Sequence, residues 1–201
     1  MELERPTDGP NSELLAHIDD LHRVLKERDE EIGKLRLQLD ALSTIDSVTG
    51  LLSTKGALDA IEVSLLRLDR QSEPFGVLVF RMPGLDALLK GDDVSGDVLR
   101  HFAALFSTGL RELDRKARVA TDTFAAIMPF VTSVDMPAII HRLESLFTDT
   151  PVTIGDRRLE GEPRFAAIMV ATLEEKSPKR ILDRALVACA ETDREALIET
   201  I

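Results

Sequence analysis

Ala117-Arg118-Val119-Ala120-Thr121-Asp122-Thr123-Phe124-Ala125-Ala126-Ile127-Met128 is the segment around which the architecture can be read. Two short apolar runs flank the polar pair Thr121-Asp122, the pattern of a β-hairpin. Upstream, Leu99, Phe102, Phe106 and Leu110 recur at helical spacing. Before them lies the strand-like run Phe75-Gly76-Val77-Leu78-Val79-Phe80, ended by Pro83-Gly84, and before that a helix carrying Leu58, Ile61, Leu65 and Leu68. Downstream, a helix starting near Ser133 presents Met136, Ile139, Ile140, Leu143 and Leu146. PVTIG (151–155) and RFAAIMVA (164–171) then supply strands around a polar loop. Ser177-Pro178 opens a last helix, with proline in the first turn where its missing N–H costs nothing. The order is mixed α and β with the hairpin at its centre.

The first forty-five residues follow a different rule. Leu14, Ile18, Leu21, Leu25, Ile32, Leu35, Leu39 and Leu42 alternate in steps of four and three, a heptad seam broken only by Arg28 at a d position. In that register Glu31 falls at g and Arg36 at the following e, so opposite charges meet across a parallel dimer. Residues 12–45 are expected to form a homodimeric coiled coil, with residues 1–11 a flexible lead before it and residues 46–201 a single globular domain.

Composition narrows the functions available. A formal net charge of −11 opposes nucleic acid and anionic membranes at long range, so any anionic ligand requires a local arginine cluster. No apolar run approaches the roughly 18 residues of a membrane span, and the acidic start lacks a signal-peptide pattern, so a cytoplasmic protein without membrane insertion is expected. The histidines His17, His22, His101 and His141 match no metal-ligand spacing, and no cofactor is expected. The single Cys189, among apolar helix residues, reads as a buried small hydrophobe.

Several short strings resemble the GGDEF family, bacterial domains that condense two GTP molecules into cyclic di-GMP. The family's opening turn D-x-L-T-G-L stands as Asp46-Ser47-Val48-Thr49-Gly50-Leu51, and its hairpin R-x-G-G-D/E-E-F-x-x-x-x-P aligns without gaps on Arg118 to Pro129. The resemblance implies an α+β fold, an α/β sandwich with a central, mostly antiparallel, palm-like sheet flanked by helices. It also implies a lost active site. Cyclase chemistry needs two carboxylates to hold Mg²⁺ against the triphosphate. Asp122 is one, but Arg81 and Pro83 occupy the places of the first motif's aspartates. Ala120 and Thr121 replace the two glycines that admit the nucleotide, and Thr123 replaces the glutamate, while Phe124 is kept. The guanine-reading asparagine falls near Leu89, the guanine-reading aspartate on Gly96 or Asp97, and the phosphate-contacting lysine on Asp193. The domain is therefore expected not to be an enzyme.

The family's product-binding inhibitory motif R-x-x-D is matched by Arg111-Glu112-Leu113-Asp114, at the family's distance before the hairpin. By the same alignment its secondary arginine is Arg142, and a further arginine supplied in some relatives by a neighbouring domain corresponds to Arg67. Guanidinium groups fork onto phosphate and the O6/N7 edge of guanine, while a carboxylate accepts from N1–H and N2–H. The resemblance thus implies a cyclic di-GMP receptor, with a further signalling protein as partner. The competing readings are a nucleotide-independent scaffold, in which these charges are surface ion pairs, and an enzyme of altered chemistry.

Overall fold

A computed structural model describes residues 10–85, 95–150, 153–154, 157–158, 163–192 and 196–201. The chain divides into two compact units, Met1–Leu42 and Ser43–Ile201. The first contains one continuous helix, α1 (Pro10–Leu42), which begins on a proline whose absent N–H is unneeded in a first turn. The helix therefore starts two residues before the expected boundary at residue 12, and the rest of the lead, residues 1–9, lies outside the described residues. Ile18, Leu21, Leu25 and Ile32 of the heptad seam are exposed, and Arg28 pairs with Glu31 one turn on at 2.7 Å. The side chains of Leu14, Leu35 and Leu39 lie outside the described set.

The second unit runs α2 (Thr54–Gln71), β1 (Phe75–Arg81), α3 (Ser95–Thr108), β2 (Arg115–Ala120), β3 (Thr123–Pro129), α4 (Met136–Asp149), β4 (Thr153–Ile154), β5 (Arg157–Arg158), β6 (Arg164–Val170), α5 (Pro178–Glu191) and β7 (Leu197–Thr200). Five strands form one sheet in the order β2-β3-β1-β6-β7, while β4 and β5 pair separately. β1 is central and antiparallel to both neighbours, with Arg81 opposite Thr123 on one side and Arg164 on the other. The hairpin forms as expected, with a bulge between Arg118 and Ala120. Among the described strands, only β7 is parallel to its neighbour.

Strand alternation splits the core into two layers, because successive side chains of a strand buried on both faces point to opposite sides. Leu78, Phe80, Phe124, Met128 and Phe165 pack with Phe102 and Phe106 of α3 and Phe147 of α4. Phe80 stacks on Phe147 at 4.5 Å and on Phe165 at 5.2 Å. On the other face Val77, Val79, Ile127 and Ile168 pack with Ile61 of α2 and Ile181 and Ala185 of α5. The result is an α/β sandwich with two of the described helices on each face of the sheet.

In the second unit two boundaries and one strand depart from the sequence expectation for local reasons. α4 starts at Met136 rather than near Ser133, because the Asp135 carboxylate accepts from the Thr132 amide and hydroxyl and closes a turn first. Leu110 lies beyond α3, whose last turn ends as Gly109 N–H donates to the Leu105 carbonyl. β7 was not anticipated: four residues with two exposed positions carry too little periodicity to be read alone.

Candidate functional site

The hairpin's entry is locked to the opening turn. Asp46 Oδ1 accepts from the Thr49 amide at 2.8 Å and hydroxyl at 2.6 Å, and Gly50 takes φ +72° to let the chain reverse. Asp46 Oδ2 accepts from Arg118 Nη1 at 3.2 Å, with both side chains largely buried. Leu52 then runs beside β2, its amide donating to Lys116 O and its carbonyl accepting from Arg118 N. Arg118 thus has a structural occupation, joining residues 46–52 to the hairpin.

At the hairpin's tip the geometry is that of an ion pair. Ala120 and Thr121 are exposed, Phe124 is buried against Phe102 and Phe106, and Asp122 and Thr123 are buried between. Arg81 Nε donates to Asp122 Oδ2 at 2.7 Å, and Thr123 Oγ1 donates to Asp122 Oδ1 at 2.8 Å. Both oxygens of the Asp122 carboxylate are therefore engaged, one by a cation. Arg164 stands directly across the ladder from Arg81. Beneath them, burial pushes the Cys189 thiol up to about 11, opposed by the Arg81 and Arg164 charges. A divalent ion at Asp122 would have to compete with the Arg81 guanidinium for the carboxylate. Pro83 follows β1 half-buried, and Asp97 is exposed and paired with Arg100. Leu89 and Asp193 lie outside the described residues.

A second constellation sits at the other end of the hairpin strands. After α3 the chain turns through Arg111–Asp114: Asp114 N–H donates to Arg111 O, and Asp114 Oδ2 accepts from the Arg111 amide at 2.7 Å. This folds the carboxylate inward until Asp114 is only 4% exposed, with Oδ1 buried and lacking a hydrogen-bond donor among the described residues. Burial raises its carboxyl above the ordinary value; the Arg111 amide and the charges of Lys116, Arg111 and Arg142 act in the opposite sense. Arg142, on α4, is fixed by Nε donating to the Gly109 carbonyl at 2.8 Å. Lys116 Nζ donates to Arg111 O at 2.7 Å, a contribution the sequence reading missed although Lys116 lies two residues beyond Asp114 on β2. Arg111, Asp114 and Arg142 thus come together. Arg67 does not join them by any described bond: it lines a cavity with Glu112, Leu113 and Arg115.

The family profile "Diguanylate cyclase, GGDEF domain" matches residues 43–195. The chain belongs to the GGDEF family. The match begins where the second compact unit begins, at Ser43. The response regulator PleD of Caulobacter vibrioides is 25% identical over 189 residues, which cover 91% of this chain and 40% of PleD. Among solved structures, the GGDEF domain of FimX from Pseudomonas aeruginosa matches with TM-score 0.67 at 18% identity, over 78% of this chain and 99% of that one. The coiled coil and GGDEF domain of DgcB from Caulobacter crescentus, in complex with c-di-GMP, matches with TM-score 0.63 at 14% identity, over 94% and 99%. Diguanylate cyclase SiaD from Pseudomonas aeruginosa, in complex with its activator SiaC, matches with TM-score 0.66 at 18% identity, over 95% and 74%. At these identities the structural likeness is one of fold. Among the described residues of this GGDEF chain, no helix is long and apolar enough to cross a membrane.

Proposed function

We propose that this GGDEF domain is a catalytically silent receptor that binds cyclic di-GMP on the surface formed by Arg111, Asp114 and Arg142, and that residues 12–45 hold it as a parallel dimer. The observation that carries the binding reading is the Asp114 carboxylate: buried, held by one amide, with Oδ1 lacking a donor and cations from two elements close by. A buried carboxylate oxygen without a donor is costly, and guanine N1–H and N2–H supply the donors it lacks. Arg111 and Arg142 then face phosphate or the guanine O6/N7 edge, where forked N–H groups give charge-assisted bonds. The ligand seen in the DgcB complex supports the choice of dinucleotide.

Catalytic silence rests on Arg81. Its bond to Asp122 supports this reading, because a positive charge on that carboxylate opposes metal binding, and Ala120 and Thr121 carry side chains where the family pattern has glycines. The dimer rests on the heptad seam, whose described apolar members are exposed along α1.

Calorimetric titration of the full chain with cyclic di-GMP tests the receptor reading. Saturable binding is expected, weakened about tenfold or more by Arg111→Ala, Arg142→Ala or Asp114→Asn, since loss of one charge-assisted bond is worth about 1.5–3 kcal/mol. No heat at high micromolar ligand would leave the scaffold reading, in which a further signalling protein is the partner. Incubation with GTP and Mg²⁺ is expected to yield no cyclic di-GMP by chromatography; product that disappears in an Asp122→Ala variant would overturn the silence.

A further inference from the structure

We infer that the cavity between α2 and the β2–β3 hairpin is a second ligand site, for a small planar organic anion such as an aromatic carboxylate. It encloses about 470 Å³, within the range of roughly 300–1,000 Å³ typical of small-molecule sites. One face of α2 forms a wall through Gly56, Ala60, Val63 and Arg67, and Ile127 and Pro129 of β3 lie opposite. Glu112 and Leu113, the two inner residues of the Arg111–Asp114 turn, also line it, as do Thr44 and Leu52.

Two features give the cavity its chemistry. Three of its apolar lining residues are exposed: Leu113 is 70% exposed, Phe130 55% and Val63 48%. Phe130 is also held at φ +58°, a left-handed conformation that bulky residues rarely adopt, with its amide donating to Pro74 O at 3.0 Å. Strained residues persist where surrounding structure over-determines them and concentrate at ligand clamps, and here the strained residue lines the cavity. The rim charge is uneven. Among the lining acids Asp59 faces Lys55 at 3.9 Å, leaving Glu112 as the acid without an ion pair among the described residues. The side chains of Arg67 and Arg115 likewise have no hydrogen bond or ion pair among the described residues. Two uncommitted guanidinium groups against one uncommitted carboxylate favour an anion, and their planar faces stack on an aromatic body while their edges bond its acid group.

The probe 8-anilinonaphthalene-1-sulfonate, an aromatic anion whose fluorescence rises in apolar surroundings, tests this on the full chain. One saturable site per chain is expected, displaced by benzoate but not by benzylamine, which has similar size and the opposite charge. The double variant Arg67→Ala/Arg115→Ala and the cavity-filling Ala60→Trp are each expected to weaken the probe about tenfold or more, equivalent to about 1.4 kcal/mol. Arg142→Ala is expected to leave it unchanged, which separates this site from the proposed dinucleotide surface. Equal displacement by benzylamine overturns the anion preference. Absence of a saturable site, or full affinity in both cavity variants with native circular dichroism, overturns the site.

Discussion

Burial holds Asp114 above the ordinary carboxylate value, against the Arg111 amide and three nearby cations. The sign of its linkage is thus opposite to that of a salt-bridged carboxylate. An acid whose pKa is higher in the folded state than in the unfolded one contributes stability that is full below the unfolded value of 3.8 and is lost as pH rises through the folded value. At neutral pH the native state therefore carries a desolvated charge. Asp114→Asn keeps an oxygen for the Arg111 amide and removes that charge, so its melting temperature at pH 7 is expected to exceed the wild type's. The gap should narrow as pH falls toward 4; a gap that widens on acidification would show that pairing, not burial, dominates. Arg81 behaves differently. Asp122 is only 7% exposed, so Arg81→Ala leaves a buried carboxylate with the Thr123 hydroxyl alone. The Arg81 side chain is itself 41% exposed, which screens the pair and limits the loss to about 1–2 kcal/mol in urea denaturation. Arg81→Lys is expected to recover part of it. Identical curves for wild type and Arg81→Ala would mean that the pair carries no net stability.

The elements were legible in unequal measure. β1, β3 and β6 are apolar on both faces, so their runs stood out, and the Thr121-Asp122 break placed the hairpin. What pairing does to single residues was not legible: Arg164 faces Arg81 only once β1 and β6 are in register, and Lys116 reaches Arg111 O only because β2 folds back beneath the turn. The same limit applied to Arg67, whose alignment with a ligand arginine says nothing about the cavity it lines with Glu112, Leu113 and Arg115. At the stalk junction the structure also sharpens where to cut. Ser53 Oγ donates to Ser43 O at 2.6 Å and Ile45 bridges to Leu52, so residues 43–45 belong with the globular unit. A Cβ on Gly56 would stand 2.2 Å from Thr44 O, which shows how closely that turn seats on α2. Removing residues 1–42, rather than 1–45, is therefore expected to leave a folded monomer where the full chain is a dimer by light scattering. An unchanged dimer would move the interface from α1 to the globular unit.

At the scale of the whole molecule, charge and site oppose each other. The chain carries −11 overall, yet the surface proposed for an anionic dinucleotide gathers Arg111, Arg142 and Lys116 around one buried carboxylate. The range of each field decides how association responds to salt. With a Debye length of about 30 Å at 0.01 M, an approaching dianion senses the acidic surface as a whole; at 0.15 M, where the length is about 8 Å, it senses mainly the local cations. Moderate salt should consequently remove repulsion before it weakens attraction. The association rate of cyclic di-GMP, followed by stopped flow, is expected to rise between those two ionic strengths and to fall only at higher salt. Steering by a basic surface gives the reverse, a rate that declines from the lowest salt onward. A monotonic decline would therefore mean that the arginine cluster outweighs the net charge at every distance.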